Sequence, residues 1–224
     1  MADIECFFDC SSPWTYFAFH NLLLMRGELG IDIAWRPILV GGVFNAVNPS
    51  VHSSREKPVP AKVAYNRKDQ EDWARHLGIR MHYRPTVFPV NSVRAMRACV
   101  LLWPEDKLVA FAQATFEAYW GDDKDISQVS VLREICEKVG VDSEKVLAGI
   151  EQQVIKDQLR AITQELIDRG GFGSPTINVG GDDMYFGNDR MPLIREAVLR
   201  RRRAAHLAPR SEPPQAASPA GATT

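Results

Sequence analysis

Two short runs of strand-forming residues, Ile4 to Phe8 and Ile31 to Trp35, bracket an apolar-rich stretch from Trp14 to Met25, and no other feature restricts the fold of this chain as much. The first run ends at Asp9, and Ser12-Pro13 follows, the pair expected at a helix N-cap and first turn. Gly27 and Gly30 are predicted to close that helix. Ile31-Asp32-Ile33-Ala34-Trp35 alternates as a half-buried strand does. Strand, helix and strand in succession give a parallel pair joined by a right-handed crossover.

Helical periodicity then takes over. Pro60 to Leu77, bounded by a proline and by Gly78, is predicted as one amphipathic helix. Met96, Cys99, Val100 and Trp103 fall at i, i+3, i+4 and i+7, as do Leu132, Ile135, Cys136 and Val139. Ile155, Leu159, Ile162 and Leu166 continue the pattern to a stop at Gly170-Gly171, and His82 to Pro89, with two prolines, is a loop. Beyond Gly173 the period returns to strands: Thr176 to Val179, a Gly180-Gly181-Asp182-Asp183 turn, then Met184 to Phe186. A last helix is predicted from about Met191 to Arg202. Ala208 to Thr224 has almost no large apolar side chain to offset its ordering entropy, so residues 204–224 are expected to be a disordered tail. Without the helical block, the order of elements is that of a thioredoxin-like fold. The expectation is an α/β protein: a thioredoxin-like domain (βαβ…ββα) at residues 1–38 and 172–203, interrupted by a large all-helical insertion at 39–171.

Charge and cysteine usage narrow the function classes. With 27 Lys and Arg against 28 Asp and Glu, the chain has no net attraction for nucleic acid or an anionic membrane. The run Arg200 to Arg203 ends a helix, where cations suit the dipole and water solvates them. Four cysteines are too few for a disulfide scaffold; Cys6, Cys99 and Cys136 read as core, and Cys10 as packing beside a candidate site. His20, His52, His76, His82 and His206 show no metal-ligand spacing. The N-terminus is acidic and no apolar run approaches membrane-spanning length, so a cytoplasmic protein is expected, with neither a membrane nor a nucleic-acid partner.

Three segments carry chemistry. Asp9-Cys10-Ser11-Ser12-Pro13-Trp14-Thr15 puts a hydroxyl at a helix N-terminus, among unpaired N–H groups and the positive end of the dipole. Gly171-Phe172-Gly173-Ser174-Pro175-Thr176 places a proline just before a strand, suited to a cis bond that offers the Ser174 backbone for strand-like pairing. Phe186-Gly187-Asn188-Asp189-Arg190 sits between the last strand and last helix, where an acidic residue beside polar amides suits a ligand ammonium group. Each also has a plainer reading: Ser12 as a cap, Pro175 as a loop proline, Asn188 or Asp189 as a cap.

In this order the three segments resemble the 2-hydroxychromene-2-carboxylate isomerases and their relatives, the kappa-class glutathione transferases. The resemblance includes Gly41-Gly42, Asn48, Pro60-Ala61-Lys62 with Tyr65, Asp72-Trp73-Ala74 and Phe88-Pro89-Val90-Asn91, and runs to about Arg203. It implies glutathione as cofactor, a small-molecule substrate and a homodimer. Disulfide-exchanging cousins open the helix with Cys-Pro-x-Cys; here the frame is Ser12-Pro13-Trp14-Thr15, which has no thiol to exchange. Ser12 lacks a neighbouring base and is a poor nucleophile, but it is a good donor to a thiolate. Lowering a thiol from ~8.5 by about 2 pH units takes about 2.7 kcal/mol, within reach of one charge-assisted hydrogen bond and a helix N-terminus.

Carried over residue by residue, the resemblance implies that Ser12, with Pro13 and Trp14, receives the glutathione sulfur. Ser174 and Pro175 would pair with its cysteinyl backbone. The Phe186-Gly187-Asn188-Asp189 segment would bind the γ-glutamyl end through Asn188 and Asp189, with Asn48 and Lys62 as further contacts. Phe44, Asn91 and Ser92 would face the acceptor. Naphthalene-pathway isomerases carry a Lys where Phe44 aligns and a Tyr where Ser92 stands, so the expected acceptor is larger or less acidic than hydroxychromene carboxylate. The Gly41-Gly42 stretch leans towards the kappa transferases. The favoured function is a glutathione-dependent isomerase of a conjugated, aromatic-derived carbonyl compound. A kappa-like transferase or peroxidase is the alternative enzyme, and a non-catalytic thiol- or peptide-binding module the alternative of another class.

Overall fold

In the computed structural model, which describes residues 2–104 and 106–207, β1 (Ile4–Phe8) lies parallel to β2 (Ile33–Pro37) across helix α1 (Pro13–Leu29). β3 (Thr176–Val179) pairs antiparallel with β1 and with β4 (Asp183–Phe186), giving the sheet order β2-β1-β3-β4. Eight helices fill the block between β2 and β3: α2 (Val40–Val47), α3 (Ser50–Glu56), α4 (Pro60–Leu77), α5 (Val93–Leu101), α6 (Leu108–Phe116), α7 (Val129–Lys138), α8 (Ser143–Gly149) and α9 (Gln153–Asp168). α6 continues into a π-type turn at Glu117–Gly121. A short 3-10 turn at Asn188–Arg190 leads into α10 (Met191–Leu207). This is the thioredoxin-like α/β fold with a helical insertion that the sequence predicts.

Three details differ from the sequence pattern. α1 passes through Gly27, which has open space around its Cα, and stops only at Gly30, where φ of 58° closes the helix. α3 has no periodic signature, because it buries no residue, and α2 buries only Val40 and Val43; neither has a side-chain cap. α10 extends past Arg202, so Ala204 to Leu207 are helical; the remainder of the expected tail lies outside the described residues.

Successive residues of β1 point to opposite faces of the sheet. Phe8 meets Phe19 of α1 at 5.6 Å and Trp35 at 6.0 Å between ring centroids. Phe7, on the other face, lies under the guanidinium groups of Arg36 and Arg169, at 5.7 and 5.2 Å. Phe116 of the insertion reaches the first face, stacking on Tyr16 at 5.4 Å and touching Phe19 at 5.3 Å. Sheet and insertion therefore share one hydrophobic core.

Candidate functional site

The end of β1 and the start of α1 build the first wall. Ser12 is the N-cap in extended backbone (φ −100°, ψ 123°), and its Oγ accepts the Thr15 N–H at 3.3 Å. The same hydroxyl donates to the Ser174 carbonyl at 3.0 Å, joining positions 162 residues apart. Ser174 Oγ accepts the Asp9 N–H at 3.0 Å and exchanges a hydrogen bond with Thr15 Oγ1 at 2.8 Å. Thr15 is fully buried, whereas Ser12 keeps 9 % of its surface. Of the two hydroxyl residues in the Ser-Pro-Trp-Thr frame, only Ser12 thus keeps exposed surface, and it marks the rim of the candidate site. Pro13 occupies the first helical turn, and Trp14 is half-buried against Phe17 at 5.9 Å.

The second and third segments meet this wall. The Ser174–Pro175 bond is cis, and the Pro175 carbonyl accepts the Gly187 N–H at 3.2 Å. Gly187 sits at φ 103°, a conformation glycine adopts without strain. Gly173 is wedged between two rings: a Cβ there would lie 2.8 Å from Phe186 and 3.7 Å from Phe44. Asn48 ends α2 and donates from Nδ2 to the Phe172 carbonyl at 3.2 Å, tying that helix to the loop. Asn188 is 3 % exposed, and its Nδ2 has no partner among the described residues. Asp189 is exposed, 3.2 Å from the Arg190 guanidinium.

The other expected residues fall elsewhere. Lys62 is exposed on α4, and no hydrogen bond or ion pair ties it to Ser12. Asn91 is exposed and its Oδ1 accepts the Val93 N–H at 3.1 Å, starting α5. Ser92 is buried, with its hydroxyl towards Asp9.

Sequence reasoning missed Arg55. Its guanidinium lies over Phe44 at 5.7 Å and over Phe88 at 5.8 Å, and Arg84 covers Phe88 at 5.8 Å. Phe88 meets Trp120 at 6.4 Å, and Trp120 Nε1 donates to the Cys10 carbonyl at 2.9 Å. Gly173, Phe44, Arg55, Phe88, Trp120 and Cys10 thus form a continuous arch whose two feet stand beside Ser174 and Ser12. No carboxylate among the described residues pairs with Arg55. A cation bracketed by rings and left without a counter-ion suits a flat, anionic guest. No motif marks it, since α3 lacks any apolar period.

The thiols are set for packing. Cys6, Cys10, Cys99 and Cys136 are all free and buried. Burial pushes the Cys10 thiol well above its ordinary value, helped by Cys99 and by Asp9, and pushes Cys136 up to about 11. Thiolate, the reactive form, is therefore suppressed at Cys10 and Cys136. Replacing each cysteine singly by alanine is expected to leave turnover within about twofold once folding is matched, at a stability cost of about 1 kcal/mol each. Assays of purified variants check this; loss of activity in folded Cys10→Ala would give a protein thiol a chemical role.

Comparison with known proteins agrees with this fold. The family model described as a DSBA-like thioredoxin domain matches residues 3–199. A 2-hydroxychromene-2-carboxylate isomerase of Pseudomonas putida is 28% identical over 201 residues, covering 88% of this chain and 94% of that protein. Glutathione S-transferase kappa 1 of Homo sapiens is 28% identical over 206 residues, covering 85% and 88%. A solved 2-hydroxychromene-2-carboxylate isomerase superposes with a TM-score of 0.78 at 25% identity, over 92% of this chain and 99% of that one. The resemblance seen in the sequence is thus borne out across most of the chain.

Proposed function

The chain belongs to the DSBA-like thioredoxin domain family, and from that premise we propose that it is a glutathione-dependent isomerase of a conjugated, aromatic-derived carbonyl compound. The observation that carries this is the Ser12 hydroxyl, a helix cap at the rim, facing the Ser174 carbonyl while every cysteine is buried. A site with a hydroxyl donor and no accessible thiol is built to use a thiol brought from outside. The names of its relatives, isomerases and kappa transferases, support the same class.

The residues present fit glutathione. The orphaned Asn188 Nδ2 is a buried donor that lacks an acceptor, a fault that a ligand carboxylate corrects. The Ser174 carbonyl keeps a second lone pair for a peptide N–H. Glutathione, when bound, supplies a thiol that adds reversibly to a conjugated double bond and is regenerated. Ser12 then turns its single proton from the Ser174 carbonyl towards sulfur, a rotation about one side-chain bond. Phe44, Phe88 and Phe172 offer flat apolar surfaces for a planar guest beside it, and Arg55 supplies the cation absent at position 44. The Arg55 position favours an acceptor bearing a carboxylate, closer to hydroxychromene carboxylate than the Phe44 position alone suggests. Buried, unpaired thiols suit a reducing cytoplasm, and a homodimer goes with the family resemblance.

Arg55→Ala is expected to raise KM for a carboxylate-bearing acceptor by about 10- to 100-fold, the worth of a charge-assisted contact of about 1.5–3 kcal/mol, with kcat changed much less. Arg55→Lys should recover part of it, and an uncharged enone should not respond. Steady-state kinetics on matched acid and ester acceptors decide this. The function itself is tested by following enone absorbance and free thiol in one sample at substoichiometric glutathione. Thiol falling in step with product would favour the transferase instead.

A further inference from the structure

Asp9 takes no part in the chemistry above, yet it is the buried carboxyl nearest to Ser12 in the chain, 1 % exposed at the end of β1. Its Oδ1 accepts both the Ser11 N–H and the Ser11 hydroxyl, each at 2.9 Å. Its Oδ2 accepts the N–H of Val40, the first residue of α2, at 2.8 Å, and the Ser92 hydroxyl of α5 also faces it. None of these donors is a cation. Among the described residues no Lys, Arg or His is paired with Asp9, and the adjoining Cys10 thiol is kept neutral by burial. A buried carboxylate held only by neutral donors accepts a proton readily, and burial indeed holds Asp9 above the usual carboxylate range.

Of these donors, Ser11 alone is half-exposed, and it stands next to Ser12. Its hydroxyl gives its proton to Asp9 and keeps lone pairs to accept another. It therefore links the buried carboxylate to a partly exposed residue that adjoins Ser12.

We propose that Asp9, acting through the Ser11 hydroxyl, takes up the proton that a thiol loses when it docks against Ser12. This rests on the glutathione reading of the site. The S–H bond breaks and its electron pair stays on sulfur. The proton passes to Ser11 Oγ while the Ser11 proton moves to Asp9 Oδ1, so thiol plus carboxylate becomes thiolate plus carboxylic acid. No oxidant or reductant is needed, and the return of the thiol reverses every transfer. The two carboxylate oxygens divide the work: Oδ1 exchanges the proton while Oδ2 keeps α2 anchored through Val40.

The experiment is difference infrared spectroscopy of the whole protein, with and without glutathione at neutral pH, using 13C-labelled aspartate to identify the carboxyl. Glutathione should produce a protonated-carboxyl band, and S-methylglutathione, which has no thiol proton to give, should produce none. Asp9→Asn should abolish the band. Ser11→Ala, at a half-exposed position, should fold normally, still bind glutathione by calorimetry but more weakly because the coupled deprotonation is gone, and lose the band. The Ser11→Ala and S-methylglutathione arms decide the matter even where Asp9→Asn fails to fold. Glutathione bound to the parent without a band overturns the relay alone, and a band persisting in Ser11→Ala removes Ser11 from it. No binding of glutathione at all overturns the relay together with the function on which it rests.

Discussion

Replacing Ser12 by alanine is expected to cut turnover by about 10- to 100-fold, because its share of the thiol acidity, about 1 to 2 pH units, corresponds to that factor. Two hydrogen bonds disappear: the one accepted from the Thr15 N–H at 3.3 Å and the one donated to the Ser174 carbonyl at 3.0 Å. Loss of the cap costs about 0.5–2 kcal/mol, so melting should fall by several degrees while α1 persists. The catalytic and structural losses separate in the pH profile. A thiolate stabilised by Ser12 remains ionised down to mildly acidic pH, so the acid limb of the rate should move up by about 1 to 2 pH units in the variant, where the helix N-terminus still acts. Ser12→Thr keeps a hydroxyl and should lie nearer the parent. Ultraviolet absorbance of the bound thiolate, titrated in parent and variant, checks this directly. An unshifted thiol in the parent would remove the mechanism.

Removing glutathione is expected to abolish measurable turnover, and restoring it at far below the substrate concentration should return nearly the full rate per bound enzyme. An isomerase returns its thiol after each cycle, so each glutathione serves many product molecules. A transferase fixes one glutathione in every product, and its reaction would stop when the thiol is spent. The buried thiols leave no internal substitute, which makes the dependence complete rather than partial. Thiol titration and product absorbance in the same sample read the ratio, and a constant one-to-one consumption would overturn the isomerase reading.

Legibility in the sequence followed burial. β1, α1 and the closing hairpin were readable because alternation and caps record which side faces the core, and α4 and α9 because each shows an apolar period or terminal glycine and proline. Ser12 and Ser174 stood out through neighbouring prolines, and the structure brings them into contact. Gly27 and Gly30 look alike in the sequence; only φ tells which one ends the helix. Arg55 could not be read, because a guanidinium arriving from one helix to lie over a ring on another leaves no local pattern. The same limit applies at position 44, whose ring lies under a guanidinium from α3 that no neighbouring residue announces. Asp9 looked like the polar end of a strand, since a carboxyl's burial depends on α2 and α5 closing over it. Ser92 looked like part of an acceptor wall for the same reason.

The hydrogen bond between Ser12 and Ser174 spans 162 residues, and the arch over it is anchored in the insertion. Local helices form early along such a chain, whereas a contact of that separation closes only after its loop entropy has been met. The site is consequently among the last features to assemble and among the first to be lost when either the sheet or the insertion opens. Since both share a core, an intermediate with half the molecule folded has no half-working site. Enzyme activity in this protein is in effect a gauge of global folding, and quality control that senses the exposed core and selection that senses catalysis act on the same population of molecules.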